Sequence, residues 1–230
     1  MDFKILEEFL LQCIKKKIFP GAVCWVGDLD QVYYFEAYGD SQIVPEKRLM
    51  TRDTVFDLAS LTKPLCTATL MIKLYEEGKV RLEDKISHFI PEFKNSVNGE
   101  KTIKGLLTHT TGIPAWFPLY LLARDERWDF LARVNTGSHN VLYSCLGYII
   151  LGRIIETVSG DRLDVLFEKK IKKMLGLNQT HFNPKTVDEV APTELGNSYE
   201  QGIARKYGDI KKVPWVQLLV TPVLPERCYL

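Results

Sequence analysis

Charge of one sign is what this chain lacks first: 30 lysines and arginines stand against 29 aspartates and glutamates, a net charge of +1 over 230 residues. With no basic stripe along it, nucleic acid is not an expected partner. The lysine groups Lys15, Lys16 and Lys17, and Lys169, Lys170, Lys172 and Lys173, fall toward the C-terminal ends of predicted helices. Cations are favoured there, so solvated helix ends account for them. Long apolar runs are missing too, and no stretch reaches the length needed to span a membrane. Cysteine is sparse: five residues, an odd number, with no C-x-x-C pair. That pattern argues against a disulfide framework and a zinc site, and reduced thiols are expected. The sequence holds no G-x-S-x-G, H-E-x-x-H, Walker loop or G-x-G-x-x-G. His88, His139 and His181 show no ligand spacing, and no metal or cofactor is expected. Residues Asp2 to Leu11 are interrupted by charges and lack a signal-peptide core. They predict an amphipathic helix ending near Lys17, in a cytoplasmic protein.

What is present suits one soluble domain, since 46% hydrophobic content over this length is enough to bury a sizeable core. Two β-rich runs, Ala22 to Val26 and Val32 to Tyr38, flank Gly27-Asp28-Leu29-Asp30-Gln31, which predicts a hairpin. A helix is expected from about Ser60 to Glu77, with Gly78 as its C-terminal stop. Leu146 to Val158 is apolar around most of its circumference, which predicts a buried helix with Gly147 and Gly152 at close contacts. A further helix runs from about Arg162 to Met174.

The most informative feature is Ser60-Leu61-Thr62-Lys63. Residues three apart share a helix face, so the Lys63 amine can take the proton of Ser60 if burial or neighbouring charge keeps it neutral. A serine at a helix start also sits beside backbone N–H groups that stabilise a developing oxyanion. The four letters alone leave a second reading open, in which Ser60 is an N-cap and Lys63 a solvated side chain.

Two further blocks lie downstream: Gly105-Leu106-Leu107-Thr108-His109-Thr110-Thr111-Gly112 and Val141-Leu142-Tyr143-Ser144-Cys145-Leu146-Gly147-Tyr148. With Phe56-Asp57-Leu58-Ala59-Ser60-Leu61-Thr62-Lys63 they resemble, in the same order, motifs of the class C β-lactamase family, which also holds D-Ala-D-Ala peptidases and related esterases. The likeness runs from about Leu6 to about Thr193. It implies a mixed α/β (α+β) fold of the β-lactamase/transpeptidase type: an antiparallel sheet from both chain ends, a large inserted helical region, and a site in the cleft. It further implies Ser60 as acylated nucleophile, Lys63 as the group that deprotonates it, and Tyr143 as the acid/base. Cys145 stands where the family has Asn or Asp, and a thiol both donates and accepts weakly. Cys145 and Trp116 are the candidate substrate-binding residues. For Trp116 and Phe117 core packing is an equal reading, and His109 is read as structural.

The family's third motif, K-T-G or H-x-G, has no counterpart after Tyr143; Lys185-Thr186 is followed by Val187. The resemblance fades near Lys211 to Trp215. A C-terminally truncated product is one expectation, and a replacement strand over Trp215 to Thr221 is the other. The chain is thus divided into residues 1–59 (helix and hairpin), 60–192 (helical region with S-x-x-K and Y-x-C) and 193–230 (a tail). The expected function is a serine hydrolase cleaving an amide, lactam or ester of a small-molecule or peptide substrate through an acyl-enzyme on Ser60. The alternatives are a penicillin-recognising binding or sensor protein, or an inactive homologue.

Overall fold

The structure is a computed structural model and describes residues 2–138, 140–183, 190–193, 201–202 and 205–206. The Lys185-Thr186-Val187 triplet, His139 and the Trp215 to Thr221 run lie outside the described residues. The chain divides into two compact units, Met1–Asp57 with Lys185–Leu195, and Leu58–Pro184 with Gly196–Leu230.

The first unit opens with helix α1 (Lys4–Lys15), which turns Leu6, Leu10, Cys13 and Ile14 inward at helical spacing and leaves its lysines exposed. Strands β1 (Gly21–Gly27), β2 (Val32–Gln42) and β3 (Arg48–Leu49) form an antiparallel sheet in the order β1-β2-β3. The predicted hairpin is present, with Trp25 opposite Phe35 and Val23 opposite Ala37. Its turn is built by Asp28, whose carboxylate accepts from the N–H groups of Asp30 and Gln31, both at 2.9 Å, and from the Tyr33 hydroxyl. The Tyr33 hydroxyl, and then those two N–H groups, hold this carboxyl below the usual range. A parallel bridge joins Val55 to Val190, and Arg48 Nη2 donates to Val190 O at 3.1 Å. No local sequence pattern announces that bridge, because its two segments lie far apart in the chain.

The second unit carries α2 (Thr69–Glu76), α3 (Ile103–Leu107), α4 (Glu126–Arg133), α5 (Cys145–Ser159), α6 (Leu163–Phe167) and α7 (Lys173–Leu175). Helix α5 is its axis. Leu146, Ile150, Leu151, Ile154 and Ile155 are buried on it, each stabilising the fold by about 1.5–3 kcal/mol relative to exposure. Around them pack Leu70, Met71, Ile86, Phe93, Ile103, Leu106 and Leu131. Ser144 caps α5 by accepting from Gly147 N–H at 3.0 Å, and Gly160 ends it at φ +75°.

One element differs in kind from expectation. The segment from Ser60 to Glu77 is not a uniform α-helix: a 3₁₀ turn (Ala59–Leu61) leads into a π-helical stretch (Lys63–Ala68) before α2 begins. Pro64 sits at its start and has no N–H to donate, so the regular ladder cannot be laid down there.

Candidate active site

Ser60 lies inside the 3₁₀ turn and is exposed. It is not an N-cap, and the residue before it, Ala59, adopts φ +44°, a left-handed conformation that a side chain resists. The turn thereby presents Ser60 outward while the chain wraps one turn further to bring Lys63 back beneath it. Lys63 is only 3% exposed, and its Nζ donates to Ser60 Oγ at 3.0 Å. The solvated-lysine reading is therefore excluded by burial.

Tyr143 approaches from the segment that leads into α5. The Lys63 Nζ lies 5.0 Å from the centroid of its ring, a cation–π contact made in a partly desolvated place. Tyr143 remains half exposed. The structure thus brings Ser60, Lys63 and Tyr143 together.

Cys145 and Trp116 occupy neighbouring backbone. Cys145 N–H donates to Ala115 O at 2.8 Å, which places the residue after Ala115 beside the start of α5. The Cys145 side chain and Trp116 are both half-buried. Phe117 turns into the core and stacks on Phe130 at 4.2 Å between centroids. Cys13, Cys24, Cys66 and Cys145 are not joined in disulfides.

Sequence reasoning missed how closely His109 belongs to this site. It follows α3 at φ +59°, and its ring lies 4.7 Å from that of Tyr143 and 5.1 Å from that of Tyr148. Burial, and then the positive charge of Lys63, push its pKa below the ordinary value. Burial also pushes the Tyr148 phenol up, and that hydroxyl donates to Leu107 O at 3.3 Å. The only sequence signal was that His109 is embedded in one of the three blocks.

The loop after His109 is held by a polar network. Asn98, fully buried, donates through Nδ2 to Leu131 O at 2.8 Å and Val134 O at 2.7 Å. Its Oδ1 accepts from Asn135 Nδ2 at 2.6 Å, and Asn135 Nδ2 also reaches Thr111 O at 3.1 Å. Gly112 closes the loop at φ +76°, where an added Cβ would meet Ser138 O at 2.7 Å and Asn135 Oδ1 at 2.8 Å. Only glycine fits. Among the described residues no cluster of His, Cys, Asp or Glu could hold a metal ion.

A small antiparallel sheet, a helical unit centred on a buried helix, and a serine bonded to a buried lysine one turn away are the parts of the β-lactamase/transpeptidase-like fold. Residues 6–214 match the family described as Beta-lactamase, and the chain belongs to that family. It is 32% identical over 210 residues to an N-acetylmuramyl-L-alanine amidase of Bacillus subtilis, a match covering 78% of this chain and 47% of that protein. A class C β-lactamase structure superposes with a TM-score of 0.75 at 21% identity, covering 85% of this chain and 55% of that one. A β-lactamase/D-alanine carboxypeptidase from Yersinia pestis gives a TM-score of 0.65 at 25% identity, covering 81% and 56%. The chain spans about half the length of the curated relatives it matches.

Proposed function

We propose that this chain is a serine hydrolase that cleaves an amide, lactam or ester bond of a small-molecule or peptide substrate through an acyl-enzyme on Ser60. The observation that carries the reading is the 3.0 Å contact between the buried Lys63 amine and Ser60 Oγ. In the proposed reaction Ser60 Oγ attacks the carbonyl and passes its proton across that contact to Lys63. The backbone N–H of Ser60, within the short 3₁₀ turn, supplies an oxyanion donor. Tyr143 hands a proton to the leaving group and then takes one from the water that hydrolyses the acyl-enzyme, while Lys63 returns its proton to Ser60 Oγ as the acyl bond breaks. Cys145 and Trp116 are assigned to the substrate's edge of the site. The relatives' names, an amidase and a β-lactamase/D-alanine carboxypeptidase, favour acyl transfer from an amide. Cysteines that stay outside disulfides favour a reducing, cytoplasmic compartment. Residues 1–230 are taken as one β-lactamase-like domain.

Labelling with a fluorescent penicillin or a fluorophosphonate tests the nucleophile. The wild type is expected to label and Ser60→Ala to remain dark. Lys63→Arg is expected to abolish labelling as well, since a guanidinium stays protonated at any working pH and cannot accept the serine's proton. Labelling that persists in Ser60→Ala would move the nucleophile elsewhere, and an active Lys63→Arg would remove Lys63 from the chemistry.

A further inference from the structure

We infer that His109 is the positioning residue for Tyr143: one residue grips the backbone on both sides of that tyrosine and supports its ring. The inference rests on the reading of Tyr143 as the proton-shuttling phenol. His109 O accepts from Leu142 N–H at 2.9 Å, and His109 Nδ1 accepts from Ser144 N–H at 3.0 Å. Between those two anchors stands Tyr143, its ring against the imidazole. The left-handed backbone at His109 is what allows the carbonyl and the side chain of one residue to face the same strand of chain. Ser144 is itself fixed, since its Oγ donates to Pro114 O at 2.7 Å and accepts from Gly147. Tyr143 is therefore tied to the most buried helix of the unit through His109 and Ser144.

This geometry also fixes the proton on the imidazole. A backbone N–H always donates, so Nδ1 must offer its lone pair and the ring hydrogen must sit on Nε2. The imidazole is neutral in this arrangement. A second proton would place an N–H against the Ser144 N–H and break the anchor. The groups facing the ring are Lys63 from the π-helical stretch, Tyr143 from the segment before α5 and Tyr148 from α5. Of these Lys63 is the basic group, and burial first, then the Lys63 ammonium when it is protonated, resist protonation of His109. As pH falls below the ordinary histidine value, protonation eventually wins and the grip on Tyr143 is released. Turnover then has an acid limb to which His109 contributes, beside the one that protonation of Lys63 imposes on acylation.

The test compares wild type, His109→Ala and His109→Asn by ester turnover and by the rate of Ser60 labelling across pH. An Asn Oδ1 can take the place of Nδ1, asparagine tolerates the left-handed backbone, and the amide does not titrate. His109→Ala is expected to lower kcat by about tenfold or more, the loss of one hydrogen bond of about 1.4 kcal/mol, with little change in KM. His109→Asn is expected to recover most of that loss and to lose the His109 contribution to the acid limb, leaving only the limb set by protonation of Lys63. Equal activity of the two variants, or an acid limb in His109→Asn unchanged from wild type, would overturn the inference. Nitrogen NMR of the wild-type protein with ¹⁵N-labelled histidine gives a readout independent of activity and of whether the alanine variant folds. It should find Nε2 protonated, Nδ1 bare, and a midpoint below the ordinary value of about 6.5. The opposite tautomer, or a midpoint above that value, refutes the assignment. If the wild type fails to label at Ser60, the hydrolase reading fails, and the NMR result alone decides the role of His109 at Tyr143.

Discussion

Cys145 is the residue at which the sequence departs from the motif of the family it resembles. An asparagine there offers two N–H donors and an acceptor, whereas a thiol offers one weak donor and a weak acceptor. Its backbone is already placed by the bond to Ala115 O, and its side chain is half-buried at the N-terminus of α5. Cys145→Asn therefore changes hydrogen-bonding capacity without asking the backbone to move. It is expected to raise kcat/KM for an amide or ester substrate by about tenfold, the worth of one hydrogen bond of about 1 kcal/mol or slightly more. Steady-state kinetics on p-nitrophenyl esters and a peptide substrate would check this. An unchanged or lower kcat/KM would place position 145 away from the substrate. At this scale the meeting of Ser60, Lys63 and Tyr143 was legible because each sits in a short local block, and their roles are those of the proposed reaction. The grip of His109 was not legible. It depends on a hydrogen bond to Ser144, 35 residues further on, and on a left-handed backbone that no letter announces.

At the scale of elements, the periodic signals survived and the irregular ones did not. Helix α5 was readable because Leu146, Ile150, Leu151, Ile154 and Ile155 recur at the spacing that buries one continuous surface. The hairpin was readable from its β-branched and aromatic runs and from the Asp28 turn. The 3₁₀ and π-helical geometry around Ser60 was hidden, since the same residues count equally well toward an α-helix. One junction between elements makes a measurable prediction. Glu77, just past α2, accepts from Lys170 and pairs with Lys79 at 2.8 Å, and these partners lower its pKa to about 2. A depressed carboxyl stabilises the fold fully above its ordinary value of 4.5 and loses that contribution as pH falls through about 2. Partial exposure screens the pair, so the effect is modest. Urea midpoints followed from neutral pH down to acid should fall more steeply in wild type than in Glu77→Gln. Parallel curves for the two would mean that the pair contributes nothing to folding.

For the molecule as a whole, the family, the fold and the order of the motifs were legible because the three blocks recur in sequence. The parallel pairing of Val55 with Val190 was not, because it joins segments 135 residues apart by their numbers, 190 less 55, with no local pattern to couple them. A polypeptide of this sequence carries Ser60, Lys63 and Tyr143, and has no K-T-G or H-x-G triplet after Tyr143. In the resembling family that triplet supplies a charge and a second oxyanion donor. Removing a single oxyanion donor costs on the order of 10²–10³ in rate. In the proposed reaction acylation depends first on the Ser60–Lys63 contact, whereas turnover would also require the second tetrahedral intermediate to be stabilised while Tyr143 activates water. The two steps are therefore expected to separate. β-Lactams should label Ser60 slowly, p-nitrophenyl acetate should be hydrolysed weakly, and a cephalosporin should turn over far below the median enzyme rate of about 10 s⁻¹. Single-turnover labelling set beside steady-state hydrolysis resolves the two rates. Cephalosporin turnover near that median would mean that another segment provides the second donor, and crosslinking or truncation of residues 193–230 would then locate it.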